Sequence, residues 1–271
     1  MKENIFENVK KEKPLIHCIT NYVTVNDVAN IILAAGASPI MADDSKEVEE
    51  ITSICTSLLI NMGTLNKRTV ESMILAGKYA NKLNHPVVLD PVGVGASSFR
   101  VETVEKLLKE VKFSVIRGNI SEIKAVFNGT GAVMGVDASE ADALTKENLE
   151  AVIAMARTLA KQTHAVIVIS GAVDLVVGKE HGYLVSNGHP MMSQITGAGC
   201  MLNGVIASFI GANQDRVLDA TTMAVSIMGY CGEMAASRAE GTSSFRMHLI
   251  DAMSQMTKEA FEKGCKIESI F

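Results

Sequence analysis

Residues 194–212 read QITGAGCMLNGVIASFIGA, and the stretch changes character part-way. A glycine-bracketed turn, Thr196-Gly197-Ala198-Gly199-Cys200, runs into an apolar segment. Leu202, Val205, Ile206, Phe209 and Ile210 recur at the spacing of a buried helix face. Two glycines at the mouth of a helix let the backbone turn sharply and aim several N–H groups at one point. Those donors have no partner inside the helix, and the helix dipole adds roughly half a positive charge there. An anion, above all a phosphate, is the natural occupant. Cys200, in the first turn, then stands beside whatever anion is held. The same five residues also suit a tight loop feeding a core helix, with Cys200 as packing.

Outward from this stretch, short apolar runs alternate with helical patterns. Pro14–Ile19 reads as a strand, and VNDVANIILAAG after it as a helix stopped by Gly36. Further strands are expected at 37–41, at 57–63, in the run from His85 to Asp90, at 113–118 and at 165–170. Helices fall between them at 45–54, 66–83, 101–110, from Ser121, and at 147–162. Strands apolar on both faces and separated by helices predict a parallel sheet covered on both sides, with right-handed crossovers. Asp174–Val177 and Tyr183–Val185, with Gly178 and Gly182 between them, read as a hairpin at a sheet edge. Asn128–Asp142, glycine-rich and acidic, reads as a surface loop. Beyond Gly199 the chain is expected to be mostly helical, with 215–238 and 246–263 as its last long pieces. With no linker, internal repeat or low-complexity tract, one domain over 1–271 is the simplest account.

Composition narrows the class. The chain has 271 residues, 48% of them hydrophobic, which is ample for a large core and argues against disorder. A net charge of -5 leaves no general basic surface, so nucleic acid is not the expected partner. No apolar run approaches the roughly 18–20 residues that span a bilayer, and the charged N-terminus has no apolar segment of a signal peptide behind it. Cys18, Cys55, Cys200, Cys231 and Cys265 are odd in number and scattered, which fits neither a disulfide framework nor a zinc-finger pattern. A soluble cytoplasmic protein is expected. The 15 methionines, in a chain without tryptophan, read as core filling. His17 and His164 border apolar runs and read as structural.

In open α/β sheets, functional groups gather at the carboxyl ends of the strands. Four such ends stand out: Met41, Asp90, the turn Arg117-Gly118-Asn119, and Ser170-Gly171. Asp90 is followed by Pro91-Val92-Gly93-Val94-Gly95, whose glycines let a ligand approach; a turn or helix-cap carboxylate would also look like this. Asn119 and Ser121 are candidate caps for the next helix, and Glu122 in its first turn suits the dipole. A cation, an amide and a carboxylate at one strand end equally suit phosphate and hydrated Mg²⁺. That ion keeps several waters and uses few carboxylates, so Asp90 and Glu122 would suffice.

The ordered segments INMG, VVLDPVGVGAS, VIRGNISEI, VISGAVD and QITGAGCMLNG resemble the hydroxyethylthiazole kinase family of thiamin salvage, within the ribokinase-like superfamily. HCITNYVTVNDVAN and SPIMA also fit, so the likeness covers nearly the whole chain. DPVGVGAS with TGAGC is specific when both occur in order. The wider superfamily usually carries an acid (G-x-G-D) where this chain has Cys200, and cysteine is what the thiazole kinase branch carries.

The resemblance implies a three-layer α/β ribokinase-like domain without a lid, its mostly parallel central sheet covered by helices on both faces. It implies ATP-dependent phosphorylation of the primary alcohol of 4-methyl-5-(2-hydroxyethyl)thiazole, with ATP as co-substrate and Mg²⁺ as cofactor. Gly197, Ala198 and Gly199 would form the anion hole, and Cys200 would accept or direct the hydroxyl proton. Asn21, Val23, Met41 and Gly197 match substrate-contacting positions, Arg117 and Ser170 match ATP-contacting ones, and Asp90 and Glu122 match the metal–phosphate region. A homotrimer with active sites at subunit interfaces is also implied. Rival readings are an ATP-dependent NAD(P)H-hydrate dehydratase, whose branch usually retains Asp where Cys200 stands, and a hydroxymethylpyrimidine or pyridoxal kinase. A non-catalytic nucleotide-binding module would not need both a phosphate-transfer turn and a substrate pocket.

Overall fold

Each expected strand–helix pair is present in the computed structural model, which describes residues 4–129, 144–145 and 147–271. The first half runs α1 (Ile5–Glu12), β1 (Leu15–Ile19), α2 (Val25–Ala35), β2 (Ser38–Met41), α3 (Val48–Ile54), β3 (Ser57–Asn61), α4 (Lys67–Lys82), β4 (Val87–Asp90), α5 (Ser98–Glu110), β5 (Val115–Asn119) and α6 (Ile120–Gly129). The second half runs α7 (Leu149–Thr163), β6 (Val166–Ser170), β7 (Asp174–Val177), β8 (Gly182–Val185), α8 (Ala198–Gly211), α9 (Val217–Ala236), α10 (Thr242–Ser254), α11 (Lys258–Gly264) and β9 (Ile267–Ser269). Of the expected surface loop 128–142, Asn128 and Gly129 belong to α6, and the remainder lies outside the described residues.

The strands form one sheet in the order β2-β1-β3-β4-β5-β6-β7-β8-β9. Neighbours from β2 to β6 pair in parallel, with Ile60 opposite Leu89 and Asn119 opposite Ser170 among the register pairs. The last three pairings are antiparallel. Parallel pairing brings the carboxyl ends of β1 to β6 to one edge of the sheet, and the candidate site residues lie along it.

Alternation along the strands feeds two cores. Leu59, Val88, Val115 and Val168 join the core beneath α2, α8, α9 and α10. Leu58, Ile60, Leu89, Ile116 and Ile167 join the one beneath α4, α5, α6 and α7. This is the period-two pattern of a sheet covered on both faces. Within α8 every residue from Met201 to Gly211 is buried, as expected of a helix apolar on all sides. Each large apolar side chain it buries contributes about 1.5–3 kcal/mol. Gly204 lets α2 pack closely: a Cβ there would stand 3.0 Å from Ile32 Cγ1.

Local signals explain several boundaries. Gly36 ends α2 with φ +96°, its N–H bonding to the carbonyls of Ile32 and Leu33. Asn66 and Thr69 form a reciprocal capping box at the start of α4.

The structure corrects the sequence reading in four places. The charged leader contains α1, anchored by buried Ile5, Phe6 and Val9. The expected helix 246–263 is two helices, because the chain leaves α10 at Gln255 and Thr257 caps α11 through the Ala260 N–H. The hairpin β7–β8 is not at the edge, since β9 pairs with β8 outside it. Finally, α5 starts at Ser98, where the Ser97 hydroxyl accepts from Arg100 N, three residues before the periodicity begins.

Candidate active site

The turn ahead of α8 has the conformation its glycines suggest. Gly197 is the N-cap, with φ +86° and no capping side chain, so the first-turn N–H groups of Ala198, Gly199 and Cys200 remain open to a ligand. A Cβ at Gly197 would lie 2.6 Å from Thr24 Cγ2, so both space and φ exclude a larger residue. At Gly199 a Cβ would collide with the Arg117 guanidinium, whose Nη2 would be 2.9 Å away. Arg117 therefore lies directly on the turn. Its guanidinium donates to Ser170 Oγ, and its buried Nε has no hydrogen-bond partner. Open backbone donors and a cation with a spare N–H together make a site for phosphate oxygens.

Asp90 ends β4 and is fully buried. Its Oδ2 accepts from Asn61 Nδ2 at 2.5 Å and Asn203 Nδ2 at 2.7 Å, while its Oδ1 has no partner. Burial pushes the Asp90 carboxyl up to about 6, against the pull of Arg117 and the two amides and with a further upward push from Glu122. Glu122 joins two strand ends: its Oε1 accepts from Gly93 N at 2.9 Å and its Oε2 from Asn119 N at 2.8 Å. Asn119 is the cap of α6, its Oδ1 accepting from Glu122 N and the Ser121 hydroxyl. Among the described residues no group of three metal-ligating side chains occurs. A buried, unpartnered carboxylate oxygen on Asp90, with Glu122 as a second acid, nevertheless fits Mg²⁺, which takes hard oxygen ligands and few carboxylates.

Cys200 Sγ accepts from Asn21 Nδ2 and Asn61 Nδ2, each at 3.3 Å. Burial, with Asp90 adding to it, pushes the Cys200 thiol up, against the opposing effect of the Thr24 side chain and of those amides. A helix N-terminus alone lowers a thiol, so at Cys200 burial works against the dipole.

The structure thus brings Asn21, Asp90 and Cys200 into one hydrogen-bonded group, with Arg117, Ser170 and the 197–199 turn beside it and Glu122 binding the neighbouring loops. Val23 and Met41, the apolar candidates, are 59% and 36% exposed, Val23 just before the Thr24 that faces Gly197 and Met41 at the carboxyl end of β2. Asp43 and Asp44 pair with Arg68 at the surface. His17 is buried and bonded to Thr52 and Ala42, as a structural histidine would be.

Three residues were given no role by the sequence. Asn61 and Asn203 both sit inside quoted motifs, INMG and GCMLNG, but an amide carries no charge to mark it. Arg100 ties the carboxyl ends of β3 and β4 together by donating to the carbonyls of Met62, Val92 and Gly63.

Comparison with known proteins matches residues 6–259 to the sequence model of the hydroxyethylthiazole kinase family. The chain is 54% identical to a hydroxyethylthiazole kinase of Clostridium acetobutylicum, over 99% of each chain. It superimposes on a solved hydroxyethylthiazole kinase structure from Pyrococcus horikoshii with a TM-score of 0.90, at 31% identity over 99% of this chain and 98% of that one. A pyridoxal kinase from Staphylococcus aureus shares the fold, with a TM-score of 0.56 at 17% identity over 79% of this chain and 87% of that one.

Proposed function

The chain belongs to the hydroxyethylthiazole kinase family, and from that premise we propose that it phosphorylates the primary alcohol of 4-methyl-5-(2-hydroxyethyl)thiazole with ATP. The observation that carries this reading is Arg117 lying on the open N-terminus of α8 within one site that also holds Cys200 and Asp90. Arg117 and Ser170 bind the nucleotide's phosphates, and Gly197, Ala198 and Gly199 surround the transferring group with N–H donors. Asp90 and Glu122 would hold Mg²⁺, which neutralises phosphate charge when bound. Asn21, Val23, Met41 and Gly197 line the thiazole position.

The alcohol oxygen attacks the γ-phosphorus in line; the new O–P bond forms as the bond to ADP breaks. Arg117 and the turn stabilise the charge on the transferring oxygens, where it develops. A raised thiol is mostly protonated near neutral pH, so Cys200 directs the hydroxyl and is not a standing base. In a loose transition state the hydroxyl need not lose its proton early, and that proton is released to solvent with the product.

The enzyme is further proposed to be a single domain over residues 1–271, cytoplasmic, and a homotrimer with active sites between subunits. One nine-stranded sheet supports the first, and free cysteines, with no helix among the described residues long and apolar enough to cross a membrane, support the second. Exposure of Tyr22, Val23 and Met41 at the site margin supports the third. Light scattering giving three times the chain mass is the expected result.

The deciding experiment incubates the protein with ATP, Mg²⁺ and hydroxyethylthiazole and identifies products by mass. Parallel reactions contain hydroxymethylpyrimidine, pyridoxal or hydrated NADH. Thiazole phosphate plus ADP, formed well above turnover of the others, is expected. Turnover of another substrate without thiazole phosphate would overturn the assignment.

A further inference from the structure

Asn61 ends β3 with its side chain almost wholly enclosed, at 2% exposure. A primary amide offers two N–H hydrogens and two carbonyl lone pairs, and here all four are engaged. One N–H goes to Asp90 Oδ2 at 2.5 Å and the other to Cys200 Sγ at 3.3 Å. The Oδ1 accepts from Asn21 Nδ2 at 3.0 Å and from Gly63 N at 2.8 Å. A flipped amide would set its oxygen against the carboxylate and its NH₂ against two other donors, so the network fixes one orientation. Asn21 is fixed in the same way: its Oδ1 accepts from Thr24 N at 3.0 Å, and its NH₂ goes to Asn61 and to Cys200.

The sulfur consequently receives two N–H donors from directions that neither asparagine can change. A thiol sulfur has two lone pairs and one hydrogen beyond its Cβ. With both lone pairs occupied, only one direction remains; the S–H takes it in the thiol, and the third lone pair takes it in the thiolate. That direction leads away from both asparagines, and the Thr24 side chain is the sulfur's other polar neighbour.

We infer that Asn61 is a positioning residue for phosphoryl transfer, its single amide setting the direction of the Cys200 sulfur while it holds the carboxylate of Asp90. This rests on the role of Cys200 in the proposed function. Asn203 provides the natural contrast: it donates to the same Asp90 oxygen, but its other bond goes to the Gly199 carbonyl and not to the sulfur. Loss of Asn203 should therefore disturb Asp90 and the Gly199 carbonyl but not the sulfur, and loss of Asn61 should disturb Asp90 and the sulfur together.

The test is a pair of double-mutant cycles read in kcat. Asn61→Ala and Asn203→Ala are each made in the native protein and in Cys200→Ala, with melting curves to establish folding. Asn61→Ser, which keeps one donor, replaces the alanine variant if that does not fold. The expected result is that Asn61→Ala costs at least tenfold more in the native background than in Cys200→Ala, while Asn203→Ala costs the same factor in both. KM for ATP should stay within about threefold of native in the Asn61 variant, because Asn61 touches neither Arg117 nor the turn donors. If Cys200→Ala lowers kcat but Asn61→Ala costs the same in both backgrounds, Asn61 is merely structural and the inference is overturned. If Cys200→Ala leaves kcat unchanged, the role given to the thiol has failed, and the inference fails with it.

Discussion

The guanidinium of Arg117 rests against the backbone of Gly199, closely enough that a methyl group on that glycine would overlap it. A residue of β5 and one in the first turn of α8 thereby form a single surface, the proposed phosphate site. In Gly199→Ala the guanidinium must move off the turn and away from Ser170. Alanine favours a helix over glycine by roughly 1 kcal/mol, so stability should not suffer. Steady-state kinetics are expected to show KM for ATP rising at least about tenfold, with an unchanged melting temperature. An unaltered KM would show that Arg117 does not meet the nucleotide.

Cys200 should be useful without being indispensable. Cys200→Ala is expected to lower kcat by about 10²-fold, the lower end of what proton-directing groups contribute, and Cys200→Asp should remain active. Because burial raises the thiol, alkylation of Cys200 followed by peptide mass should have its pH midpoint above the ordinary 9.0. Cys18, Cys55 and Cys231 are buried, and the peptide assignment separates Cys265 from Cys200. A midpoint below that value would mean that the helix dipole governs the sulfur after all.

Removal of divalent metal by a chelator should abolish turnover, and added Mg²⁺ should restore it. Asp90→Asn is expected to lower kcat by about 10³-fold at saturating ATP, since a metal ion supplies several kcal/mol of charge stabilisation. Its fold should survive, because a neutral side chain replaces a fully buried acid. Full activity in this variant across a Mg²⁺ titration would remove Asp90 from the metal site.

Asp174 gives a prediction about stability. Burial pushes its carboxyl up to about 6 from the ordinary 3.8, although Gly171 N–H and Arg117 pull it down. A folded-state value above the unfolded one means that the folded chain binds this proton more tightly. The penalty for ionising it is absent below about pH 4 and complete above about pH 6. Asp174→Asn keeps an acceptor for Gly171 N–H and should raise the melting temperature at pH 8. A gain of about 2–4 °C corresponds to roughly 1 kcal/mol in a chain of this size. The gain should fade as the pH falls towards 4; one that grew on acidification would contradict the sign.

Much of this architecture was legible because it depends on local periodicity. Runs such as SLLIN and VIVIS could only be strands covered on both faces, and Gly36 could be read as a stop from its neighbours. What stayed hidden depends on partners distant in sequence. The segment IES becomes β9 only because β8 offers it an edge, and α1 is secured by a core that its own charged residues disguise. Charged and glycine-rich positions of the site could be named in advance because their chemistry is intrinsic. Asn61 and Asn203 could not, since an amide acquires meaning only from the two groups that folding sets on either side of it.

Helix α8 lies wholly inside the protein from Met201 to Gly211, while its first turn is the mouth of the proposed phosphate site. One unbroken helix therefore joins the keel to the proposed working end. A substitution at Phe209, three turns inside, pushes on a helix whose far tip, in the proposed function, meets substrate. Turnover should report the fit of the deepest side chains more sensitively than any melting curve, and selection on the reaction is at the same time selection on the interior.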